Sequence, residues 1–295
     1  QGASATMRSP FCQNIWCNYG SRQPTHAAHQ NSPCATCTAR LMPKGQTMKH
    51  IAYQLYCSRN APSLDVTLKM LAHAGYKAVE GYGGILDDVD ALKRQLDAHG
   101  LIMPSCHMGV ADIENDPAAA IATAKTLGLE TVFAPYLMPE DRPVDAAGWA
   151  AFGKRLAEAG KQIQDAGFKF GWHNHDFEFA ALDTGEFPID LIAQADENLL
   201  LELDLGWVGR AGLNPVDWIN KYSGRIAAAH IKDIAPAGEC VDEDGWADVG
   251  QGTLDWPAIH GALKSTGVDH YVIEHDNPSD DPRFAQRSLA AVLKF

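Results

Sequence analysis

The chain has 295 residues and a formal net charge of −13 at pH 7, with 37 acidic side chains against 24 lysines and arginines. This acidic balance weighs against a general nucleic-acid-binding surface, which needs basic side chains to neutralise phosphates. The sequence lacks an apolar run of the roughly 20 residues that a transmembrane helix requires, so we expect no membrane partner. The length suffices for one large domain with a complete hydrophobic core, and a soluble, cytoplasmic enzyme is the expected class.

Residues 1–47 differ in composition from the rest of the chain. They contain no Asp or Glu and show neither a helical nor a strand period, which predicts a disordered N-terminal extension. The alternative is a zinc site built from the pairs His26/His29 and Cys34/Cys37, but the loop between the pairs is short. Only three scattered cysteines follow this segment, which indicates a cytoplasmic domain without a disulfide scaffold.

From residue 50 onward, short apolar runs alternate with amphipathic segments. Ser63 is a helix-capping residue at the start of the first such segment, and Gly75 is a stop signal at its end. The predicted strands are Ile51–Tyr56, Lys77–Glu80, Leu101–His107, Thr131–Pro135, Phe168–His173, Leu199–Asp204, Ile226–Ile231 and Tyr271–Glu274. The predicted helices cover residues 63–73, 89–98, 116–128, 145–166, 187–195, 215–222, 256–265 and 283–293.

This alternation over residues 48–295 favours the α/β class and a single-domain (β/α)8 TIM barrel, because alternating strands and helices build a parallel sheet. An open, doubly wound sheet is the structural alternative. Such a sheet often binds nucleotides through a G-x-G-x-x-G turn after the first strand or through a G-x-x-x-x-G-K-[ST] loop. The first strand is followed by no such turn, and the loop motif does not occur in the sequence.

Ionisable residues stand at the carboxyl ends of six predicted strands. In a TIM barrel these ends form the active-site face. Each residue alone has a structural alternative as a hydrogen-bonded cap, but together they predict a pocket rich in oxygen and nitrogen ligands. Such a pocket suits Mn²⁺, Co²⁺, Mg²⁺ or Zn²⁺. The residues are Glu80, His107, His173 with Asn174 and His175, Asp204, His230 and Glu274.

Four stretches of the chain carry recognisable motifs. They are Gly171–Phe179 (GWHNHDFEF), Leu201–Val208 (LELDLGWV), Ala229–Asp233 (AHIKD) with Val249–Trp256 (VGQGTLDW), and Tyr271–Asn277 (YVIEHDN). From Met48 onward the chain resembles the xylose isomerase-like TIM-barrel superfamily. Within it, the motifs look most like the sugar phosphate isomerase/epimerase group, which includes ketose 3-epimerases, inosose dehydratases and 3-keto-glycoside enzymes.

The resemblance implies a divalent metal cofactor, with Mn²⁺ favoured and Co²⁺, Mg²⁺ and Zn²⁺ as alternatives. In this family the metal is held by four residues of strands five to eight. Asp204, His230 and Glu274 match three of these positions. For the fourth, the HNHDFEF pattern favours Glu178 as the ligand, and His173 at the end of the fifth strand is the alternative.

The chemistry implied by the resemblance is removal of a proton from carbon next to a carbonyl, through a metal-stabilised enediolate. Glu274 is the first candidate for the base. Lys232 is a candidate for neutralising the oxyanion, with an ion pair to Asp233 as the structural alternative. The candidates for the acid on the opposite face of the substrate are Glu178, His175 and His173.

Four residues are predicted to contact substrate. Glu80, His107 and His173 would bind sugar hydroxyls, and Trp207 would stack on the apolar face of a sugar ring. Polar capping or core packing is the alternative for each. The acidic loop of residues 236–252 and the lack of an Arg/Lys cluster at the strand ends weigh against a phosphorylated substrate.

We therefore predict a metal-dependent isomerase or epimerase of a sugar or keto-sugar in carbohydrate metabolism, with relatives suggesting a homo-oligomer. The alternative is a metal-dependent lyase that dehydrates an inosose or cleaves a 3-keto-glycoside by beta-elimination at the same site. A DNA-acting barrel is the third hypothesis. It would need further zinc ligands and a cationic surface that the sequence does not provide.

Overall fold

A computed structural model of the protein describes residues 49–295. The two hypotheses for residues 1–47, a disordered extension and a zinc site, lie outside the described residues. Within the described range, eight parallel strands close into a barrel, because the last strand pairs with the first. This confirms the predicted TIM barrel. Its strands are β1 (His50–Gln54), β2 (Ala78–Gly81), β3 (Ile102–His107), β4 (Thr131–Ala134), β5 (Lys169–His173), β6 (Leu200–Asp204), β7 (Ile226–Ile231) and β10 (His270–Ile273).

Helices surround the barrel and follow the predicted order. They are α1 (Leu64–Ala74), α2 (Val89–His99), α3 (Val110–Asn115), α4 (Pro117–Leu127), α5 (Ala146–Asp165), α6 (Pro188–Gln194), α7 (Leu205–Arg210), α8 (Pro215–Lys221), α9 (Trp256–Thr266) and α10 (Asp281–Val292). None of the helices between residues 49 and 295 combines the length and the apolar character needed to cross a membrane.

Local side-chain chemistry sets the helix boundaries. The Ser63 side chain accepts a hydrogen bond from the backbone N–H of Val66, which satisfies one of the unpaired donors at the start of α1. At the end of α1, Gly75 has a φ of +105°, a left-handed conformation that favours glycine and turns the chain towards β2.

Besides five short 3-10 turns, three elements of the described range were not predicted. Two are the short helices α3 and α7, which lie in the loops after β3 and β6. The third is a two-stranded antiparallel ribbon of β8 (Asp233–Ile234) and β9 (Trp246–Ala247), after β7. All three follow the carboxyl ends of barrel strands, so they shape the face on which the ionisable residues lie.

The barrel interior has an apolar layer and a polar layer. The apolar layer is a small separate cluster, and four of its five members stand two residues before polar residues, as Ala228 precedes His230; the exception is Phe133. Because side chains alternate along a strand, both residues of such a pair face the interior. The polar layer therefore lies nearer the carboxyl ends of the strands. The apolar layer consists of Ala52, Ala78, Phe133, Ala228 and Val272.

The packing of α5 on β5 yields a test of the fold. A Cβ atom added at Gly160 would overlap the ring of Phe170, whereas one added at Gly261 in α9 would meet open space. We expect Gly160→Ala to lower the free energy of unfolding by about 1–3 kcal/mol through overpacking. Gly261→Ala should raise it by up to ~1 kcal/mol, because alanine favours the helix. Urea denaturation of both variants measures the difference, and equal effects would contradict this packing.

Candidate metal centre

Two overlapping groups of buried side chains at the carboxyl ends of the strands have the composition of metal sites. In each group, the ligand-type atoms lie within 4.8 Å of one another. We call them outer and inner according to their distance from the carboxyl ends of the strands. The outer group includes residues at or beyond these ends, and the inner group includes a residue that comes earlier in its strand. The outer group is His173, Asp204, His230 and Glu274, and the inner group is His107, His173, Glu202 and His230.

The outer group combines two carboxylates with two imidazoles. His230 Nδ1 lies 3.0 Å from Glu274 Oε2 and 3.7 Å from Asp204 Oδ2. Asp204 Oδ1 accepts a hydrogen bond from the Trp207 backbone N–H at 2.8 Å, which caps α7. Asp204 Oδ2 is buried and has no hydrogen-bond partner among the described residues.

An unpartnered buried carboxylate oxygen is costly unless a ligand occupies it. Carboxylate and neutral imidazole donors on four neighbouring side chains suit a divalent transition metal. The outer group therefore fits the metal that the family resemblance implies.

Three members of the outer group have the protonation state that metal binding requires. The fourth, His230, would have to release a proton, because its burial is outweighed by Glu202 and Glu274, which raise its pKa well above the usual value. Burial opposes ionisation of Glu274, but the Lys232 ammonium and His230 hold the pKa of its carboxyl well below the usual value. Burial raises the pKa of Asp204 to about 6, although Lys232 counteracts this. Burial and the neighbouring His230 hold the pKa of His173 well below its usual value, so His173 is neutral, as a metal ligand must be.

Lys232 lies directly beside the outer group. Its side chain is fully buried, with Nζ 2.7 Å from Asp276 Oδ2 and 3.2 Å from Glu274 Oε2. The alternative partner, Asp233, accepts hydrogen bonds instead from the backbone N–H groups of residues 250, 252 and 254 and from the Trp256 indole. The Lys232 cation thus pairs with Asp276 and Glu274 rather than with Asp233, and its catalytic role stays a prediction.

Glu178 belongs to neither the outer nor the inner group. Its Oε1 accepts a hydrogen bond from the Trp172 indole at 2.8 Å, and its Oε2 accepts one from the His175 backbone N–H at 2.9 Å. Trp172 packs on Phe152 of α5, with ring centroids 5.2 Å apart, so Glu178 is held towards the helix layer. Burial raises the pKa of Glu178 to about 8, against these two hydrogen bonds. His173 is the β5 residue that the structure brings together with the other three predicted ligands.

The inner group links two more predicted site residues, Glu80 and His107. His107 Nε2 lies 2.5 Å from Glu202 Oε2 and 3.2 Å from Glu80 Oε1. His230 Nε2 lies 2.8 Å from Glu80 Oε1. Glu80 also accepts hydrogen bonds from Gln54 and from the Ser105 hydroxyl. Glu80 and His107 were predicted to contact substrate, and here both belong to a buried network beneath the outer group.

In the inner network, positive charge on the imidazoles balances negative charge on the carboxylates. Burial lowers the affinity of His107 for a proton, but Glu80 and Glu202 outweigh it and raise its pKa to about 9. Burial and the Glu80 carboxylate oppose ionisation of Glu202, yet His230 and His107 lower its pKa to about 2. Buried carboxylates in this network are therefore paired with imidazoles rather than with water.

Aromatic side chains line the centre beside the outer group. Trp207 lies 5.3 Å from the His175 ring and 4.8 Å from the Trp246 ring, measured between centroids. The Lys232 ammonium lies 4.6 Å from the Trp207 ring centroid and 4.2 Å from that of Trp246. Burial and the positive charge of Lys232 lower the pKa of His175 to about 3, so His175 is neutral. Trp207 and His175 therefore lie beside the outer group, and their roles in binding and catalysis stay predictions.

Glu202 is the residue that the sequence reasoning missed. The sequence does contain a signal for Glu202. It precedes Asp204 by two positions on a predicted strand, so both side chains face the same side of the sheet. The ion pair between the fully buried Lys232 and the partly exposed Asp276 was also missed, since Asp276 lies in a loop after β10.

Comparison with known proteins supports the same class of barrel. A family model described as Xylose isomerase-like TIM barrel matches residues 68–294. An inosose dehydratase from Geobacillus kaustophilus (strain HTA426) is 24% identical over 192 residues, or 58% of this chain and 62% of that protein. The chain thus aligns with less than two thirds of that relative's length.

Two solved structures share the fold. A sugar phosphate isomerase/epimerase from Parabacteroides distasonis ATCC 8503 superposes with a TM-score of 0.70 at 20% identity, covering 86% of this chain and 97% of that chain. The IOLI protein with a binding zinc atom superposes with a TM-score of 0.67 at 20% identity, covering 83% and 97%. Since the family model spans most of the described barrel, the protein belongs to the family of xylose isomerase-like TIM barrels.

Proposed function

We propose that the protein is a metal-dependent lyase that dehydrates a polyhydroxylated ketone, such as a keto-inositol or keto-sugar. The observation that carries this proposal is that the β10 side and the β5 side of the outer group offer different acid/base groups. Glu274 is ionised and lies beside Lys232 on the β10 side. On the β5 side, both oxygens of the Glu178 carboxyl group already accept hydrogen bonds, from the Trp172 indole and the His175 backbone. A single carboxylate base suits elimination better than epimerisation, which needs two acid/base groups on opposite faces.

We assign the metal to His173, Asp204, His230 and Glu274, with His173 in the position first predicted for Glu178. A divalent metal held by these residues would supply Lewis-acid polarisation of the substrate carbonyl, which acidifies the adjacent C–H bond. The donor set is compatible with Mn²⁺, Co²⁺ or Zn²⁺.

The elimination then uses Glu274 twice. Its carboxylate removes the proton from the carbon next to the carbonyl, and Lys232 stabilises the negative charge that develops on oxygen. The protonated Glu274 returns this proton to the hydroxyl on the next carbon as its C–O bond breaks. A C–H and a C–O bond are lost, a C=C bond forms, and water leaves, so the reaction needs no oxidant or reductant.

The surroundings of the outer group suit a cyclic polyol. Trp207 is partly exposed and offers aromatic surface for the apolar face of a ring, and the fully buried Trp246 packs against it. The indole N–H groups of both residues are buried and lack hydrogen-bond partners among residues 49–295. The similarity to an inosose dehydratase supports the same substrate class.

Epimerisation or isomerisation of a keto-sugar is the second candidate, and His175 favours it. His175 is neutral, and its Nδ1 is without a hydrogen-bond partner in the described range. Strands β6 and β7 separate β5, which precedes His175, from β10, which precedes Glu274. His175 thus supplies a proton donor or acceptor across the centre from Glu274.

Metal content is the first prediction of the proposal. We expect the full chain to bind about one divalent metal ion, as most mononuclear sites do. Asp204→Asn should bind far less, since it loses the ligand charge while its side-chain oxygen can still cap α7. Elemental mass spectrometry after loading with Mn²⁺, Co²⁺ or Zn²⁺ measures this, with Glu243→Gln as a control in a buried carboxylate paired with Arg283. A parent protein that takes up no metal would overturn the proposal.

Product analysis in deuterated water separates the two candidate reactions. A dehydratase converts a keto-inositol to an unsaturated product that has lost water, whereas an epimerase returns an isomer carrying solvent deuterium. At saturating metal, Glu274→Gln should lower kcat by about 10²–10⁴-fold, because the base is lost.

His175→Asn is the matched test of the second candidate. If the protein is a dehydratase, this variant should keep kcat within a few-fold of the parent. A loss of roughly 10²-fold or more, together with deuterated isomers as products, would instead favour the epimerase.

A further inference from the structure

A single carboxylate oxygen lies beneath the candidate metal centre and faces three imidazoles. Glu202 Oε2 lies 2.5 Å from His107 Nε2, 3.1 Å from His230 Nε2 and 3.3 Å from His173 Nδ1. Glu202 is fully buried and stands two residues before Asp204 on β6. Two of these imidazoles, those of His173 and His230, belong to the outer group.

The two ring nitrogens of His230 face different layers. Nδ1 faces the outer group, 3.0 Å from Glu274 Oε2, while Nε2 faces Glu80 Oε1 at 2.8 Å and Glu202 Oε2 at 3.1 Å. A neutral imidazole that donates one N–H to a carboxylate presents the lone pair of its other nitrogen, whereas an imidazolium donates from both. If a metal displaced the proton on the Nδ1 side of His230, the inner carboxylates would hold the remaining proton on Nε2 and leave the Nδ1 lone pair for the ion.

His173 has the same orientation relative to Glu202. Its Nδ1 lies on the Glu202 side at 3.3 Å, outside hydrogen-bond geometry, so a small ring rotation would complete the bond. The other ring nitrogen, Nε2, then remains available to a metal. The Glu202 carboxylate therefore lies on the inner side of both outer-group imidazoles, those of His173 and His230.

We propose that Glu202 is a positioning residue, which together with Glu80 orients His230 and His173 towards the metal. The inference rests on the proposed metal centre. Carboxylates that accept a hydrogen bond from a ligating histidine raise its basicity and fix its ring, and their loss commonly reduces metal affinity by about 10–100-fold.

The inner group is itself a conceivable second cation site, but its distances favour hydrogen bonding. His107 Nε2 and Glu202 Oε2 are 2.5 Å apart, the separation of a charge-assisted hydrogen bond. Two ligands bound to one cation at roughly 2.0–2.2 Å each lie further apart than this in a tetrahedral arrangement. A second cation would also displace the protons that pair Glu80 and Glu202 with the imidazoles.

The test compares Glu202→Gln and Glu202→Met with the parent, all as the full chain. Competition with a chromogenic chelator measures Zn²⁺ affinity and stoichiometry. We expect one ion per chain throughout and a graded loss of affinity, because Gln keeps one acceptor oxygen and Met keeps none. The loss for Met should be about 10–100-fold. Glu243→Gln, which alters a buried carboxylate paired with Arg283, should retain the parent affinity.

The visible spectrum of the Co²⁺-loaded proteins separates positioning from general destabilisation. A change in the spectrum of Glu202→Gln at full metal occupancy reports altered imidazole ligation, which a loss of stability alone would not cause. Glu202→Gln is close in shape to the parent residue, so it carries the test if Glu202→Met does not fold.

Three outcomes would overturn the inference, and they remain distinguishable from one another. Parent-like affinity and an unchanged spectrum in both variants would remove the positioning role and leave the metal centre intact. Two ions per parent chain, with one lost in the variants, would make Glu202 a ligand of a second site. A parent that binds no Zn²⁺ or Co²⁺ would refute the metal centre and the positioning role together.

Discussion

The interior of this barrel depends on one constraint: charged groups that leave water must find partners within the protein. Glu80, Glu202, Asp204 and Glu274 are all nearly or fully inaccessible to solvent, and isolated carboxylates in such surroundings would be strongly disfavoured. Imidazoles supply the partners in the inner layer, and Lys232 supplies one beside Glu274. Asp204 Oδ2 accepts no hydrogen bond within the described structure. The proposed metal is the partner that would complete this set.

The layering of the barrel follows from strand geometry. Positions two residues apart on a strand face the same side, so an apolar residue and the polar residue that follows it stack within the interior. Val272 and Glu274 are one such pair, and Ala228 and His230 are another. The apolar layer keeps water from the inner side, and the helices cover the outside. Electrostatic interactions among the polar residues are therefore stronger than they would be at the surface.

Sequence patterns predicted the barrel well because its periodicity is local: each strand and each helix carries its own boundary signals, such as Ser63 and Gly75. The same patterns placed Asp204, His230 and Glu274 together, since parallel strands end on one face. They could not orient Glu178, because its direction depends on the Trp172 indole and on a turn of the backbone at His175. Nor could they assign Glu80 and His107 to a buried network, because the depth of a residue depends on how the strands are staggered around the barrel.

Lys232 and Asp233 are adjacent directly after β7 but have different surroundings: Lys232 faces the candidate site, and Asp233 holds a neighbouring loop. Lys232 turns inward to Glu274 and Asp276, while Asp233 binds the backbone of the loop that leads into α9. Asp233 also begins the ribbon in which Ile234 pairs with Trp246, whose ring lies against the Lys232 ammonium. The ribbon that begins at Asp233 thus places the Trp246 ring against the ammonium of the adjacent residue. Because Lys232 and the ribbon that covers it are consecutive in the chain, the fold itself sets the position of the Lys232 charge beside Glu274.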